Sequence, residues 1–171
     1  MARPPASYRL QALDPSVVAE RAVLAAAERS TLDAPKEPLR SELGRKAMAL
    51  TAYAQGTGAA ESPRELVYEV GRAVFGVERE DPAVPLDSMV GVVLVAARCR
   101  AKLSAEPPAT VSTKELAALA GVHPSHVRRV AQRSGVDRVA RGTISPSSAR
   151  AYLATLGVAG FGEASPAAPS A

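Results

Sequence analysis

Four Tyr, two Phe and no Trp are all the aromatic side chains in a chain of 171 residues. A core without large rings must be filled by Ala, Val and Leu. Side chains that small reach interior packing density only where backbones approach closely. Short helices in close contact meet this requirement, so the chain is expected to be mostly α. Hydrophobic residues make up 47% and charged residues 22%, enough to fold one globular domain or two small ones. Arg outnumbers Lys 17 to 4, and Ala, Val and Pro are abundant; this reads as coding bias before it reads as function.

One cysteine, Cys99, excludes an internal disulfide and any cysteine-rich zinc site. It lies in an apolar run, where a buried, inert thiol is expected. Residues 1–7 contain Pro4 and Pro5 and no apolar signal core, so no export is expected. The longest apolar stretch, residues 89–97, falls far short of the ~20 residues of a membrane helix. The expected location is cytoplasmic and nucleoid-associated, with no membrane partner. The net charge of +4 is unevenly placed. Residues 1–109 hold 14 Lys/Arg and 14 Asp/Glu, whereas residues 110–171 hold 7 against 3. A neutral body with a basic end points to a polyanion at that end.

Residues 1–13 show no clear period and read as a flexible N-terminus. Asp14 can cap and Pro15 suits a first helical turn. Val17, Val18, Ala22, Val23, Leu24 and Ala25 then follow at helical spacing to about Arg29. Pro35 and Pro38 mark a connection. A second helix is expected from Leu39 to Gln55, with Leu39, Leu43, Ala47 and Leu50 on one face and Gly56 ending it. Ser62, Pro63 and Glu65 form a helix start of the capping-box type. That helix carries Leu66, Val67, Val70, Val74 and Phe75 and stops at Gly76. After an acidic, Pro-punctuated loop over 78–85, Asp87 or Ser88 opens an apolar segment that ends in Arg98, Arg100 and Lys102. Its valines suit a strand by propensity, but its length and cationic last turn predict a central buried helix. No internal repeat is visible, and no Gly-rich phosphate loop occurs.

Residues 111–133 read VSTKELAALAGVHPSHVRRVAQR. Ser112, Thr113 and Glu115 predict a capping box and a helix start. Leu116, Ala117, Leu119 and Ala120 supply its buried side. Gly121 stands where a short turn needs positive φ. Val122 plugs the turn, His123 takes the next cap position and Pro124 opens a second helix. Two short helices joined by such a turn form a helix-turn-helix. In the second helix Val127, Val130 and Ala131 point inward. Ser125, Arg128, Arg129 and Gln132 make one exposed stripe, from which Arg and Gln can contact guanine and adenine edges.

These residues resemble the DNA-binding headpiece of the lactose-repressor family in Glu115-Leu116-Ala117, Ala120-Gly121-Val122, Val127 and Arg129-Val130. The resemblance covers about twenty residues, and that family's large sugar-binding domain has no counterpart here. It implies that Ser125 and Arg129 fall among base-contacting positions. The stretch C-terminal to this unit is similar to the wing of mercury-resistance regulators and excisionases. Residues 136–139, a turn at 140–142 and residues 143–145 predict a tight hairpin, with Arg138 and Arg141 placed for phosphate or the minor groove. Ser145 and Pro146 then start a helix packed through Ala149, Tyr152, Leu153 and Leu156 and closed by Gly157.

The expected organisation is therefore a flexible start over 1–13 and a helical self-association or partner-binding portion over 14–105. A linker over 106–110, a winged helix-turn-helix over 111–157 and a disordered tail over 158–171 complete the chain. The expected DNA-binding residues are Ser112, Thr113, His123, Ser125, His126, Arg128, Arg129, Gln132, Arg133, Arg138 and Arg141. His123 and His126 have the spacing of a metal pair, but no third ligand clusters with them. Glu61, Glu65 and Glu69 read as a solvated face. No metal site, cofactor or catalytic constellation is expected, and the chain does not read as an enzyme. The expected function is sequence-specific binding of double-stranded DNA by a homodimeric bacterial or phage transcriptional regulator. Two other readings remain open: an excisionase-like or packaging accessory, and a helical antitoxin or adaptor with secondary DNA binding.

Overall fold

The computed structural model describes residues 9–31, 33–76, 84–133 and 142–162. It is mostly helical, with one small antiparallel strand pair. In chain order come α1 (Pro15–Ser30), α2 (Glu42–Gln55), α3 (Pro63–Phe75) and α4 (Met89–Ser104). They are followed by β1 (Val111–Ser112), α5 (Thr113–Ala120), α6 (Pro124–Arg133), β2 (Thr143–Ile144) and α7 (Pro146–Thr155). Among the described residues no helix is long and apolar enough to cross a membrane.

The valine-rich segment is a helix, α4, and it is the centre of the molecule. Twelve of its 16 residues are buried, against α1, α2, α3 and α5. A helix covered on every side loses the amphipathic period, which is why its composition resembles a strand. Cys99 is fully buried in α4, and burial pushes its thiol pKa up. Asp14 caps α1 as expected, its Oδ1 accepting from the Ser16 N–H at 2.8 Å. Ser62 does precede α3, but its side chain makes no cap hydrogen bond, so the box expected with Glu65 is not formed.

The second helix begins later than its apolar spacing suggests, and the reason is local. Pro38–Arg40 is a 3-10 turn that leaves Leu39 37% exposed, off the core face. Ser41 then caps α2 by accepting from the Gly44 N–H at 3.0 Å. The start of α4 is built in the same way, with Ser88 accepting from the Gly91 N–H at 3.2 Å. The sequences match as well: Pro35-x-x-Pro38-Leu39-x-Ser41-x-x-Gly44 against Pro82-x-x-Pro85-Leu86-x-Ser88-x-x-Gly91. Pro also opens both α1 and α3. Helices α2 and α4 thus share one start pattern. The two helices share this start chemistry but not their apolar faces, because α4 is buried all round and α2 is not.

Both glycines are dictated by close approach of backbone. A Cβ on Gly44 would lie 2.1 Å from the Pro38 carbonyl oxygen, and one on Gly91 would lie 1.9 Å from that of Pro85. Replacing a helical Gly by Ala ordinarily gains up to about 1 kcal/mol. Gly91→Ala is instead expected to cost about 1–3 kcal/mol, because a carbonyl must be pushed aside. Thermal denaturation checks the sign, and a raised midpoint would refute the steric argument.

Both ends of the described chain are docked. Leu10 is fully buried, Leu13 nearly so, and the Gln55 side chain donates to the carbonyls of Leu10 at 2.9 Å and Leu13 at 2.7 Å. The loose N-terminus expected over 1–13 therefore does not extend into residues 9–13. At the other end Val158 and Phe161 are buried, and the Phe161 ring lies 4.9 Å from the Arg100 guanidinium carbon. Residues 158–162 belong to the fold rather than to a tail. Leu156, expected on a packing face, is 44% exposed. The expected linker, 106–110, separates α4 from β1 in sequence, yet one buried apolar cluster runs from Leu10 through α4 to Leu153 and Phe161.

Candidate nucleic-acid interface

The start of α5 is organised around Glu115. The Ser112 hydroxyl accepts from the Glu115 N–H at 3.1 Å, and Glu115 Oε2 accepts from the Ser112 N–H at 2.8 Å, completing the expected capping box. The second carboxylate oxygen, Oε1, accepts from Arg98 Nε at 2.9 Å and Lys102 Nζ at 2.8 Å, both on α4. Burial alone would raise the Glu115 pKa. The Lys102 and Ser112 hydrogen bonds, with the Lys102 and Arg98 charges, outweigh it and hold the carboxyl below the ordinary carboxylate range. A side chain only 3% exposed thus ties the central helix to the first turn of α5. The cationic end of α4, which reads from sequence as a dipole complement, is used for this clamp.

The strands add a second tie. Val111 pairs with Ile144 and Ser112 with Thr143, antiparallel, and both apolar members are buried. The partner expected for Thr143–Ile144 is the 136–139 segment. Among the described residues its partner is β1, because Val111 and Ile144 complete the core between them. Residues 136–139, with Arg138, and Arg141 lie outside the described residues. Beyond the strands, the Thr113 N–H and hydroxyl both donate to the Gly142 carbonyl, at 3.2 and 3.4 Å.

Helix α5 stops at Gly121, whose φ of +67° is cheap only without a Cβ. The Val122 N–H returns to the Ala117 carbonyl at 3.0 Å, and Val122 packs against the core. His123 then caps α6, its Nδ1 accepting from the Ser125 N–H at 3.2 Å with the Ser125 hydroxyl 2.7 Å away. Pro124 is the first helical residue. Val127 and Ala131 form the buried edge of α6, and Val130 is half-buried.

Ser125, His126, Arg128, Arg129, Gln132 and Arg133 are exposed together on α6, beside exposed His123. The helix carries no acidic residue. Among the described residues no carboxylate lies in an ion pair with Arg128, Arg129 or Arg133. Ser112 and Thr113 stand apart from this group: both are half-buried, and their hydroxyls are engaged in the cap and in the Gly142 contact. Helix α7 joins the core and the end of α4. Ser145 caps it, accepting from the Ser148 N–H at 3.3 Å, Ala149 and Leu153 are buried, and Arg150 donates to the Leu103 carbonyl at the end of α4. Lys114, exposed on a helical wheel, reaches the Val84 carbonyl at 2.6 Å.

The sequence matches no protein-family model, no curated protein and no solved structure.

Proposed function

We propose that the chain binds double-stranded DNA as a homodimeric regulator of transcription, with α6 in the major groove and α5 across the backbone. One observation carries this reading. A ten-residue helix is held by one buried edge, while the remainder of its surface presents three arginines, Gln132 and Ser125 without a competing carboxylate. A helix of about 10–12 Å diameter fits a major groove about 12 Å wide. Arg128, Arg129 and Gln132 supply the donors that guanine and adenine edges accept there. His123, His126 and Arg133 flank them for phosphate contact. The likeness of residues 115–130 to the lactose-repressor headpiece supports assigning base readout to Ser125 and Arg129. Such a unit spans only a few base pairs, so two copies on paired half-sites give useful specificity.

The test is fluorescence anisotropy of the full chain against labelled duplexes at rising salt. With about four phosphate contacts, affinity should fall about a hundredfold between roughly 50 and 200 mM salt. Absence of duplex binding at low salt would end this reading.

A further inference from the structure

Helix α1 keeps Val18, Ala19, Ala22 and Val23 in the core and leaves Val17, Glu20, Arg21, Leu24 and Glu28 exposed. These positions advance by three or four residues along one continuous stripe. Val17 and Leu24, each 40% exposed, are two of the large apolar side chains that the described surface leaves uncovered.

The order of chemistry along this stripe is self-complementary. A second copy of α1 can be laid antiparallel, with the two-fold axis between positions 20 and 21. Val17 of each copy then meets Leu24 of the other, and Glu20 of each meets Arg21 of the other. The apolar contact and the ion pair each form twice, and no like charges face one another among these four positions; Glu28 of each copy falls at the Leu13–Asp14 end of the other, outside the match. This is the requirement of an isologous interface, in which one patch must complement itself. A parallel arrangement places Glu20 against Glu20 and Arg21 against Arg21.

We propose that α1 is a two-fold self-association surface whose occupant is a second copy of this chain in that antiparallel register. Two helices crossing through so few side chains bury less than the roughly 1,200 Å² of a stable interface, so the dimer forms in a concentration-dependent way. The inference does not depend on what α6 binds.

Sedimentation velocity of the full chain over a concentration series tests it. Glu20→Arg puts arginine against Arg21, and Arg21→Glu puts glutamate against Glu20. Each single variant should move the monomer–dimer midpoint about tenfold upward, and the double variant should return it to the wild-type value. Both side chains are exposed, and matched circular dichroism spectra separate lost pairing from lost fold. The register is read by a short bismaleimide cross-linker. A mixture of Val17→Cys and Leu24→Cys chains should cross-link, and either variant alone should not, with buried Cys99 silent. A chain monomeric up to roughly 100 μM, a midpoint indifferent to the single swaps, or cross-linking of either variant alone would overturn the proposal.

Discussion

Glu115→Ala is expected to cost about 3–5 kcal/mol of folding stability, the usual penalty for leaving buried charges without their partner. The loss falls on Arg98 and Lys102, whose cations remain beside an emptied site, and on the Ser112 N–H, which loses its acceptor. Against a total of about 5–15 kcal/mol for a typical domain, this is a large share. Glu115→Gln should lose less, because the amide oxygen can still accept from Ser112 or one cation.

The carboxyl is held below its ordinary range in the folded chain. Its contribution is therefore complete above the unfolded value of about 4.3 and is lost as pH falls through the folded one. Thermal midpoints of wild type and Glu115→Gln should accordingly lie far apart at neutral pH and draw together in acid. A gap that stays constant down to strong acid would show that the Glu115 charge contributes nothing to the clamp.

Arg129→Ala is expected to lower affinity for a cognate duplex, selected from random DNA, roughly ten- to a hundredfold. This is the loss of one bidentate base contact, about 1–3 kcal/mol. Affinity for unrelated duplex should fall much less, so the preference itself is lost. Arg129→Lys separates charge from geometry. It should restore the salt dependence and non-specific binding but not the preference, because an ammonium cannot reproduce the guanidinium fork. Val127→Ala provides the contrast: its side chain is 2% exposed, so its first effect should be a lowered midpoint from a core cavity. If Arg129→Ala keeps the full cognate preference, the reading element lies elsewhere in the chain.

Helix starts were the most legible part of this chain. Asp14 with Pro15, Ser112 with Glu115, and Ser145 with Pro146 act through bonds to the residue two or three positions on, so these can be foreseen from spacing alone. The sorting of α6 into a buried Val127/Ala131 edge and an exposed polar remainder was legible for the same reason, since the helical period maps sequence directly onto faces. Local chemistry also misled in places. Ser62 has the letters of a cap without its hydrogen bond, and the shared Pro-Leu-x-Ser-x-x-Gly start was hidden because the residues around it differ.

Tertiary structure decided what covers what. Arg98 and Glu115 are 17 residues apart, Gln55 and Leu10 45, and Arg100 and Ala54 46; no spacing rule joins them. Whether residues 89–104 became strand or helix turned on their burial against four helices, since an all-apolar run fits either. Thr143–Ile144 paired with Val111–Ser112 because Ile144 and Val111 share a core, which local turn propensity does not register. The stripe on α1 shows both contributions at once. Its residue order is written in the sequence, but only the packing of α1 on α2, α3 and α4 determined that Val17, Glu20, Arg21 and Leu24 face outward. Capping and helical period are contests among neighbouring residues, whereas burial is settled by surfaces the chain brings together from a distance.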